Sequence, residues 1–459
     1  MNDQHIKVTF YGGVGWVTGA NFMVEDQAGT RKILIDCGMF QGGEDASTMN
    51  REPFHYDPSQ ADVLVITHAH ADHIGRVPKL VRDGFKGIIY STEATHDLAK
   101  IMLEDSLQIV TYEAKKEDIE PMYEKADVEA ALKLWQYVPY HQNIDLGAGF
   151  SATLHEAGHI LGSAMVNLSY ANKKVLFTGD LGNSPDPLLR DTEMIDGVDY
   201  MIIESVYGDR NHEERDERDD KLKQAVLDTI KRKGILMIPS FALERTQNLL
   251  FVLNDLIESG EVPKIPVFLD SPLAIDITRV FRKHKDLFND DAKSRFKTDD
   301  DIFSFPGFEE TYSVEDSKAI MRVPNPKVII SSAGMSHAGR IIHHEKQYLD
   351  DPENTLLFVG YQAVGTAGRI IQDGAKKIHL LGKEVQIKAK VATISGYSAH
   401  KDSQHLLEFI DHAKGQLKHV YVAMGETKSS LFLVQRIRDY LEVKATAPEV
   451  DESVLLDMS

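Results

Sequence analysis

Short β-rich segments alternate with glycine-containing turns through the first part of the chain. These segments are HIKVTFYGG, NFMVED, RKILIDCG, ADVLVITHAH and GIIYST. A helical pattern covers residues 94–138, and strand patterns resume with FSATLHEA, AMVNLSYA, KKVLFTGD and VDYMIIES. Strand pairs followed by helices favour sheets that are covered by helices over a simple doubly wound fold.

The pattern changes after the segment YGDR at residues 207–210. Strand and helix patterns then alternate through GILMIPSFA, ERTQNLLFVLNDLIESG, PVFLDSP, IDITRVFRKHKDLF, KVIISSAGM, NTLLFVGYQ and TAGRIIQDGA. Such alternation is typical of a parallel α/β unit. From about Gly382 the sequence returns to strands and then helices. We therefore predict an α/β protein in which one domain, residues 1–208 and 386–459, is split by an inserted α/β domain, residues 209–385.

Length and composition agree with a large folded protein. A chain of 459 residues is too long for one ordinary core, and 42% hydrophobic residues exclude global disorder. No apolar run approaches the roughly 20 residues of a membrane helix, and the first residues do not resemble a secretory signal. The single Cys37 excludes an intramolecular disulfide framework and any cysteine-rich zinc module. We expect a soluble cytoplasmic protein that has no membrane partner.

The charge balance is acidic, with 51 basic and 71 acidic residues and a net charge of −20. This balance argues against a nonspecific nucleic-acid coat protein. It does not exclude a nuclease, because a local basic cleft or a bound metal ion is sufficient to hold one phosphate.

The strongest chemical signal is the segment His68-Ala69-His70-Ala71-Asp72-His73, which directly follows an apolar strand pattern. Three imidazoles and one carboxylate within six residues offer the nitrogen and oxygen ligands that zinc prefers. His68 and His70 can point the same way from an extended segment, while Asp72 and His73 serve a neighbouring ion. Packing alone would not require this cluster.

Two further candidates also follow strand patterns. His159 lies in HEAGHILGSA and Asp180 in VLFTGDLGN. An aspartate at a strand end before glycine can bridge two metal ions. Taken alone, His159 would more often be a core histidine and Asp180 a turn or helix-cap carboxylate. Because the HAHADH cluster lies upstream, both residues become candidate metal ligands.

Together these residues resemble the metallo-β-lactamase fold. HAHADH matches the HxHxDH signature of that fold, and Asp36, His159 and Asp180 match its other early motifs in order. Later segments resemble the β-CASP branch of nucleic-acid nucleases, which includes ribonuclease J and the endonuclease subunit of the cleavage and polyadenylation specificity factor. Glu204 in IIESVYGDR and His400 in GYSAHKD match motifs of that branch, as do SFALERTQ, LDSPLA, SSAGM and GYQAVGTAGR. The similarity runs from about Val8 to about Glu426.

The resemblance implies a four-layer αββα domain with two zinc ions at the edge of its sheets and a β-CASP domain inserted into it. By position, His68, His70 and His159 would hold one zinc ion. Asp72 and His73 would hold the other, and Asp180 would bridge the two. Single-stranded RNA would be the substrate, and a homodimer is expected by analogy only.

One residue departs from the family pattern. The family's last motif is normally His-Gly-Glu, and its histidine completes the second zinc site. Here the segment is Met424-Gly425-Glu426. Thioether sulfur is a weak zinc ligand compared with imidazole, so we expect a weakened second site.

The resemblance also suggests roles in catalysis and substrate binding. Phosphodiester hydrolysis needs a nucleophile, such as a metal-bound hydroxide, and protonation of the leaving oxygen. His400 is the candidate general acid and Glu204 its orienting partner, with Asp72 also in the catalytic set. Asp36 is expected to orient a ligand histidine rather than to bind metal. Candidate phosphate contacts are Ser332, Arg340 and Arg369, with Arg245 a weaker one; ordinary surface roles are equally compatible with the arginines.

The leading interpretation is a zinc-dependent ribonuclease. A small-molecule metallohydrolase of the same fold is a second possibility, although a small substrate needs no inserted domain. A nonhydrolytic protein that binds RNA or a partner through a degenerate metal site is the third, and Met424 favours it.

Overall fold

The computed structural model describes residues 5–42, 45–212, 217–297, 299–360, 362–363 and 365–459. Residues 213–216 of the charged segment HEERDERDDK, and two positions of the GYQAVGTAGR segment, lie outside these residues. No helix in the described ranges combines the length and the apolar character that a bilayer-spanning helix requires.

The strands β1 to β22 are, in chain order, His5–Gly12, Asn21–Asp26, Lys32–Ile35, Val63–Val65, Ile88–Ser91, Trp135–Tyr137, Asn143–Gly147, Phe150–Glu156, Ala164–Tyr170, Lys173–Phe177, Tyr200–Ile203, Ile235–Pro239, Val267–Leu269, Phe308–Glu310, Lys327–Ser331, Thr355–Phe358, Lys377–Leu380, Lys383–Gln386, Lys390–Thr393, His419–Val422, Ala445–Thr446 and Ser453–Asp457.

The helices α1 to α14 are Ala46–Arg51, Ala71–Ile74, Val77–Arg82, Glu93–Glu117, Lys125–Lys133, Arg218–Arg232, Arg245–Glu258, Pro272–Lys283, Asp290–Arg295, Val314–Ala319, Ile341–Tyr348, Ala367–Gln372, Ser403–Ala413 and Thr427–Arg436. Short 3₁₀ turns lie at Pro58–Gln60, Lys285–Leu287, Ile320–Arg322 and Ser395–Tyr397, and a π-helical turn at Ile437–Leu441.

The chain forms two compact units. The first contains residues 1–186, 190–211 and 400–459, and the second contains residues 187–189 and 212–399. The sequence placed the second boundary at 385/386. The structure continues the inserted unit to Ala399, because β19 pairs in parallel with β16 of the inserted sheet.

The first unit contains two seven-stranded mixed sheets. Their strand orders are β22-β1-β2-β3-β4-β5-β6 and β21-β20-β11-β10-β9-β8-β7. In the first sheet β1 pairs antiparallel with β2 and β22, whereas β3 to β6 run parallel. In the second sheet β7 to β10 form an antiparallel meander, and β10, β11, β20 and β21 run parallel. Parallel strands place their carboxyl ends at one edge, where loops can carry a site.

An apolar core fills the space between these two sheets. Ile33 and Val65 from the first sheet share it with Leu154, Val166 and Phe177 from the second. A separate core packs the outer face of the second sheet against helices α13 and α14. On the first sheet, helices α2 to α5 contact one another and α4 packs on β6. The predicted four-layer αββα arrangement is thereby confirmed.

The inserted unit contains a six-stranded parallel sheet with the order β14-β13-β15-β12-β16-β19, together with the hairpin β17–β18. Strand–helix alternation predicted such a sheet, since parallel strands need crossover connections. The segment WQYV, predicted as helix, is the strand β6, because Trp135 pairs in parallel with Ile89 of β5.

Candidate metal centre

Loops at the ends of six strands carry the predicted site residues. Asp36 follows β3, His68 follows β4, His159 follows β8, Asp180 follows β10, Glu204 follows β11 and Met424 follows β20. Strands β8 and β10 point the same way, since both run antiparallel to β9 between them. Strands β10, β11 and β20 are parallel neighbours, so their carboxyl ends share one edge of the second sheet.

Four buried or half-buried side chains form one compact set of ligand atoms: His68, His70, His159 and Asp180. The His70 Nδ1 atom lies 3.1 Å from His68 Nε2 and 3.2 Å from His159 Nε2. The Asp180 Oδ2 atom lies 3.5 Å from each of the two Nε2 atoms. The sequence predicted that these four residues meet, and the structure brings them together.

These separations fit one tetrahedral metal ion. Zinc ligands at about 2.0–2.1 Å from the ion stand roughly 3.3–3.4 Å apart along the edges of the tetrahedron. Three imidazole nitrogens and one carboxylate oxygen are also donors that zinc accepts readily. The set is therefore of the right size and chemistry for zinc.

His73 extends the set on the other side of Asp180. Its Nε2 atom lies 3.4 Å from Asp180 Oδ1. Both atoms are buried and lack a hydrogen-bond partner of ordinary geometry in the described part of the chain. Burial would lower the pKa of His73, but the nearby Asp180 and Asp36 carboxylates outweigh burial and raise this pKa well above its usual value. The two facing atoms are of ligand type, so they are candidate ligands for a second cation.

Asp36 lies behind His73 and fixes its ring. The His73 Nδ1 atom lies 2.7 Å from Asp36 Oδ2, and Thr67 donates to the same carboxylate from its backbone N–H and its hydroxyl, each at 2.8 Å. With Nδ1–H donating to Asp36, Nε2 is the atom that is left to bind metal. The arrangement matches the orienting role predicted for Asp36.

Asp72 is the least tightly placed of the predicted ligands. Its side chain interacts electrostatically with His73, Asp180 and His400, and burial raises its pKa to about 6. It belongs to none of the compact ligand sets found among the described residues. Its role in a second metal site thus stays a prediction.

Electrostatics give His68 and Asp180 the protonation states that metal binding needs. Burial, together with His73, holds the pKa of His68 well below its usual range. Burial would raise the pKa of Asp180, but His73 and His400 outweigh it and hold this pKa well below the usual value. A neutral imidazole beside an ionised carboxylate is what a zinc ion binds.

His400 and Glu204 form a pair next to these ligands. His400 Nδ1 lies 3.2 Å from Glu204 Oε2 and 3.9 Å from Asp180 Oδ2. Glu204 is buried, and its Oε1 accepts a 2.6 Å hydrogen bond from the Leu181 N–H. Burial lowers the pKa of His400, but Glu204 and Asp180 outweigh burial and raise this pKa to about 9.

Met424 is buried in the apolar core between the two sheets. Its backbone has a left-handed φ of 45°, and its N–H donates to the Gly13 carbonyl. A β-carbon on Gly13 would lie 2.4 Å from the Met424 sulfur. Met424 nonetheless lines the same small cavity as His73 and Glu204. The residue therefore stands beside the second site while its thioether packs with the core.

Comparison with known proteins agrees with this geometry. Residues 14–234 match the metallo-beta-lactamase superfamily, residues 246–371 the Beta-Casp domain, and residues 384–448 the Zn-dependent metallo-hydrolase RNA specificity domain. Ribonuclease TTHA0252 of Thermus thermophilus is 36% identical over 92% of this chain and 94% of its own length. The chain belongs to the β-CASP family of the metallo-β-lactamase superfamily.

Other relatives extend this result. Transcription termination factor FttA of Methanosarcina mazei is 32% identical over 99% of this chain and 72% of its own length. A crystal structure of a protein of unknown function from Enterococcus faecalis has the same fold, with a TM-score of 0.59, 13% identity and coverage of 98% of this chain and 100% of that one. Both the predicted family and the predicted class of enzyme, a hydrolase, are confirmed.

The predicted phosphate contacts belong to the inserted β-CASP unit. Arg340 donates to the buried Asp270 carboxylate at 2.7 Å and to the carbonyls of Thr311 and Tyr312 at 3.0 and 2.8 Å. His344 Nε2 lies 2.7 Å from the other Asp270 oxygen. Arg340 is thus engaged inside its own unit, which favours a structural role for this side chain.

The other predicted contacts differ in exposure. Arg369 pairs with Asp373 at 2.9 Å on the exposed side of α12, where such a pair contributes little to stability. The Ser332 hydroxyl accepts a 3.0 Å hydrogen bond from the Ser271 hydroxyl. Arg245 is buried, with its guanidinium 5.9 Å from the Tyr397 ring. Contacts of Ser332, Arg340 and Arg369 with RNA stay predictions.

Thr67 is the main functional residue that the sequence analysis missed. Besides its two bonds to Asp36, its hydroxyl lies 3.1 Å from His68 Nδ1 and 3.3 Å from His73 Nδ1. One side chain thereby positions ligands for both metal positions. Its place directly before the HAHADH segment was the available signal.

Close backbone contacts also shape the site. A β-carbon on Gly38 would lie 1.5 Å from the Asp72 carbonyl oxygen, and one on Gly182 would lie 1.7 Å from the Gly158 carbonyl oxygen. The glycine-rich segment GGVGWVTG at residues 12–19 ends near the centre, since the N–H of the next residue, Ala20, donates to the Asp72 carbonyl. Only glycine fits where backbones approach this closely.

Replacement of His68 and His70 together by alanine should remove the tightly bound metal ion, because two of four ligands disappear. Elemental analysis of the folded, tag-free double variant measures this loss. His55→Ala is the control, since His55 is an exposed histidine paired only with Asp451 in the described structure. Undiminished zinc in the double variant would exclude the assignment.

Asp270 should stabilise the inserted unit in a pH-dependent way. Burial would raise its pKa, but hydrogen bonds from His344, Ser317 and Arg340 lower it from 3.8 to about 2. A lowered pKa stabilises the folded state above the unfolded value, and this contribution disappears as pH falls from about 4 to about 2. Asp270→Asn should therefore cost about 2 kcal/mol at pH 7.

Urea unfolding at pH 7 and at low pH measures this effect. The control is Asp373→Asn, which breaks an exposed Asp–Arg pair in the same unit. The control should change the free energy of unfolding by less than about 1 kcal/mol. Equal destabilisation by the two substitutions, or none by either, would contradict the structural role.

Proposed function

We propose that this protein is a zinc-dependent ribonuclease that hydrolyses RNA phosphodiester bonds. The observation that carries the proposal is the compact set of His68, His70, His159 and Asp180 beside the His400–Glu204 pair. When bound, zinc supplies a nucleophile from water at neutral pH and neutralises charge on the phosphoryl oxygens.

The side chains of the protein would supply the proton transfer. Glu204 accepts from His400 Nδ1–H and holds the ring, so Nε2 is the nitrogen that can give a proton to the leaving oxygen. The raised pKa of His400 keeps this imidazole protonated at neutral pH, as a general acid must be. The Asp180 carboxylate lies close enough to favour that protonated state.

RNA as the substrate is supported by two similarities. One relative is named a ribonuclease, and residues 384–448 match a domain described by its RNA specificity. A net charge of −20 opposes long-range attraction of a polyanion, so binding would rely on a few local cations and the metal. Single-strand preference, homodimer formation and a cytoplasmic location remain predictions from the sequence.

A nonhydrolytic RNA-binding protein is the second candidate, and one observation favours it. Met424 stands where the family has a histidine, and its side chain packs in the apolar core. A centre that binds only one ion would lose the two-ion clamp on the phosphate. The small-molecule hydrolase has no comparable observation in its favour.

Incubation of tag-free protein with uniformly labelled single-stranded RNA, with and without added Zn²⁺, tests the proposal. DNA of the same sequence and a chromogenic ester serve as alternative substrates. We expect RNA fragments with the wild type and none with the His68→Ala/His70→Ala variant. RNA that is bound but stays intact at saturating zinc would overturn the proposal in favour of the nonhydrolytic candidate, and ester cleavage alone would favour the small-molecule one.

His400→Ala should lower the cleavage rate about 10²–10⁴-fold while the tightly bound zinc stays, because only proton donation is lost. A substrate with a more acidic leaving group should lose much less rate, since it needs less protonation. His405→Ala is the control, as His405 pairs with Asp402 on the neighbouring helix α13. Cleavage by His400→Ala at the wild-type rate would rule out the role.

Met424→His should tighten binding of a second zinc ion by at least about tenfold, because imidazole replaces a weak thioether ligand. The left-handed backbone at this position suits histidine, which adopts positive φ more often than methionine does. Chelator competition measures the two affinities, and cleavage should rise with them. Met424→Leu is the control and should leave the second affinity unchanged.

Two equally tight zinc ions at this centre of the wild type would contradict this prediction. So would a second affinity that Met424→His leaves unchanged. Either result would mean that water or another side chain completes the second site.

A further inference from the structure

A second cluster of ligand-type side chains lies in the first unit, apart from the residues of the metal centre. It consists of His141, His155 and Glu193, whose ligand atoms all lie within 4.8 Å of one another. His141 Nε2 lies 2.8 Å from Glu193 Oε2, and His155 Nδ1 lies 3.0 Å from Glu193 Oε1. The two imidazole rings meet edge to face, with centroids 5.3 Å apart.

Strand β8 holds all three residues in place. His155 is part of the strand itself and lies opposite Met165 of β9. The His141 N–H donates to the Leu154 carbonyl at 2.9 Å, and the Glu193 N–H donates to the Glu156 carbonyl at 3.0 Å. The segments that carry His141 and Glu193 are therefore fixed to the strand residues on either side of His155. Such anchoring positions the side chains before any ligand binds.

This convergence differs from isolated histidine–carboxylate pairs elsewhere in the described structure. His55 pairs with Asp451, and His412 with Asp196, each as one imidazole with one carboxylate. At Glu193 two imidazoles from different segments meet one carboxylate, which gives three ligand atoms for a single ion. Burial would raise the pKa of Glu193, but hydrogen bonds from His141 and His155 outweigh it and lower this pKa, so the carboxylate is ionised at neutral pH.

We propose that His141, His155 and Glu193 form an accessory site for a divalent transition-metal ion, with zinc the best fit. Two imidazoles and a carboxylate select zinc and related ions over Mg²⁺ and Ca²⁺, which prefer oxygen ligands. Water would fill the fourth position, since the His141 side chain is 61% exposed. Binding requires the two imidazole nitrogens that face Glu193 to be free of protons, so a proton on either one would leave or move to the other nitrogen of its ring.

An ion at this site would connect strand β8, which leads into the loop that carries His159, with the β10–β11 connection that carries Asp180. His155 is four residues before His159, and Glu193 belongs to the same β10–β11 connection as Asp180. These connections already touch, because the Thr192 hydroxyl donates to the carbonyls of Ala157 and Gly182 at 2.9 and 3.3 Å. The accessory ion would hold the two loops together and so help to position His159 and Asp180.

The test uses the full, tag-free chain that carries His68→Ala and His70→Ala, so that the main centre is disabled and RNA cleavage plays no part. Zinc binding is measured by chelator competition. His141→Asn is then added, because asparagine tolerates the left-handed φ of 62° at this position but does not replace a zinc ligand. The matched control adds His55→Asn instead.

We expect the disabled protein to keep one zinc ion, and His141→Asn to weaken it at least about tenfold. Glu193→Gln, which keeps the shape of the side chain, should do the same, and the control should not. An anomalous scattering peak at bonding distance from His141 Nε2 and His155 Nδ1 would support the assignment directly. Failure of the disabled protein to bind zinc, or binding that His141→Asn leaves unchanged, would overturn it whether or not the chain cleaves RNA.

Discussion

The ionised Asp180 carboxylate, buried among imidazoles, is the interaction on which the centre depends. One of its oxygens faces His68 and His159, and the other faces His73. A buried carboxylate is unfavourable without a compensating cation, and the imidazoles of His73 and His400 supply this compensation and hold the Asp180 pKa low. Under the proposed function, a metal ion bound by these groups would take over this compensation.

Holding such groups at ligand spacing requires a rigid frame, and both sheets contribute to it. Thr67 and Asp36 fix the histidines that follow the first sheet, while backbone bonds at Leu181 fix the Glu204 carboxylate that follows the second. The glycines at 38 and 182 allow the loops to approach within contact distance of backbone oxygens. This frame rests on the apolar core between the two sheets, so the positions of the site residues depend on the packing of that core.

The sequence predicted much of this arrangement because the determinants are local. Ligands in HAHADH are close in the chain, and Asp36, His159 and Asp180 each follow an apolar strand pattern that places them at a sheet edge. Contacts across the chain were harder to anticipate. The cluster of His141, His155 and Glu193 unites three separated segments through backbone pairing with one strand, and no spacing in the sequence indicates it. Arg340 was predicted at the substrate, yet its guanidinium is engaged by a buried Asp270 that lies 70 positions earlier.

Met424 shows how one side chain can change while its surroundings stay suited to the original chemistry. The backbone there has a positive φ, a conformation that histidine tolerates better than methionine does. The residue also lines a cavity with His73 and Glu204, the groups that a second ion and its acid–base partner would use. The thioether, in contrast, gains stability from the apolar core and from contact with Gly13. The backbone at this position therefore accommodates histidine as well as methionine, and under the proposed function the side chain decides between binding an ion and packing the core.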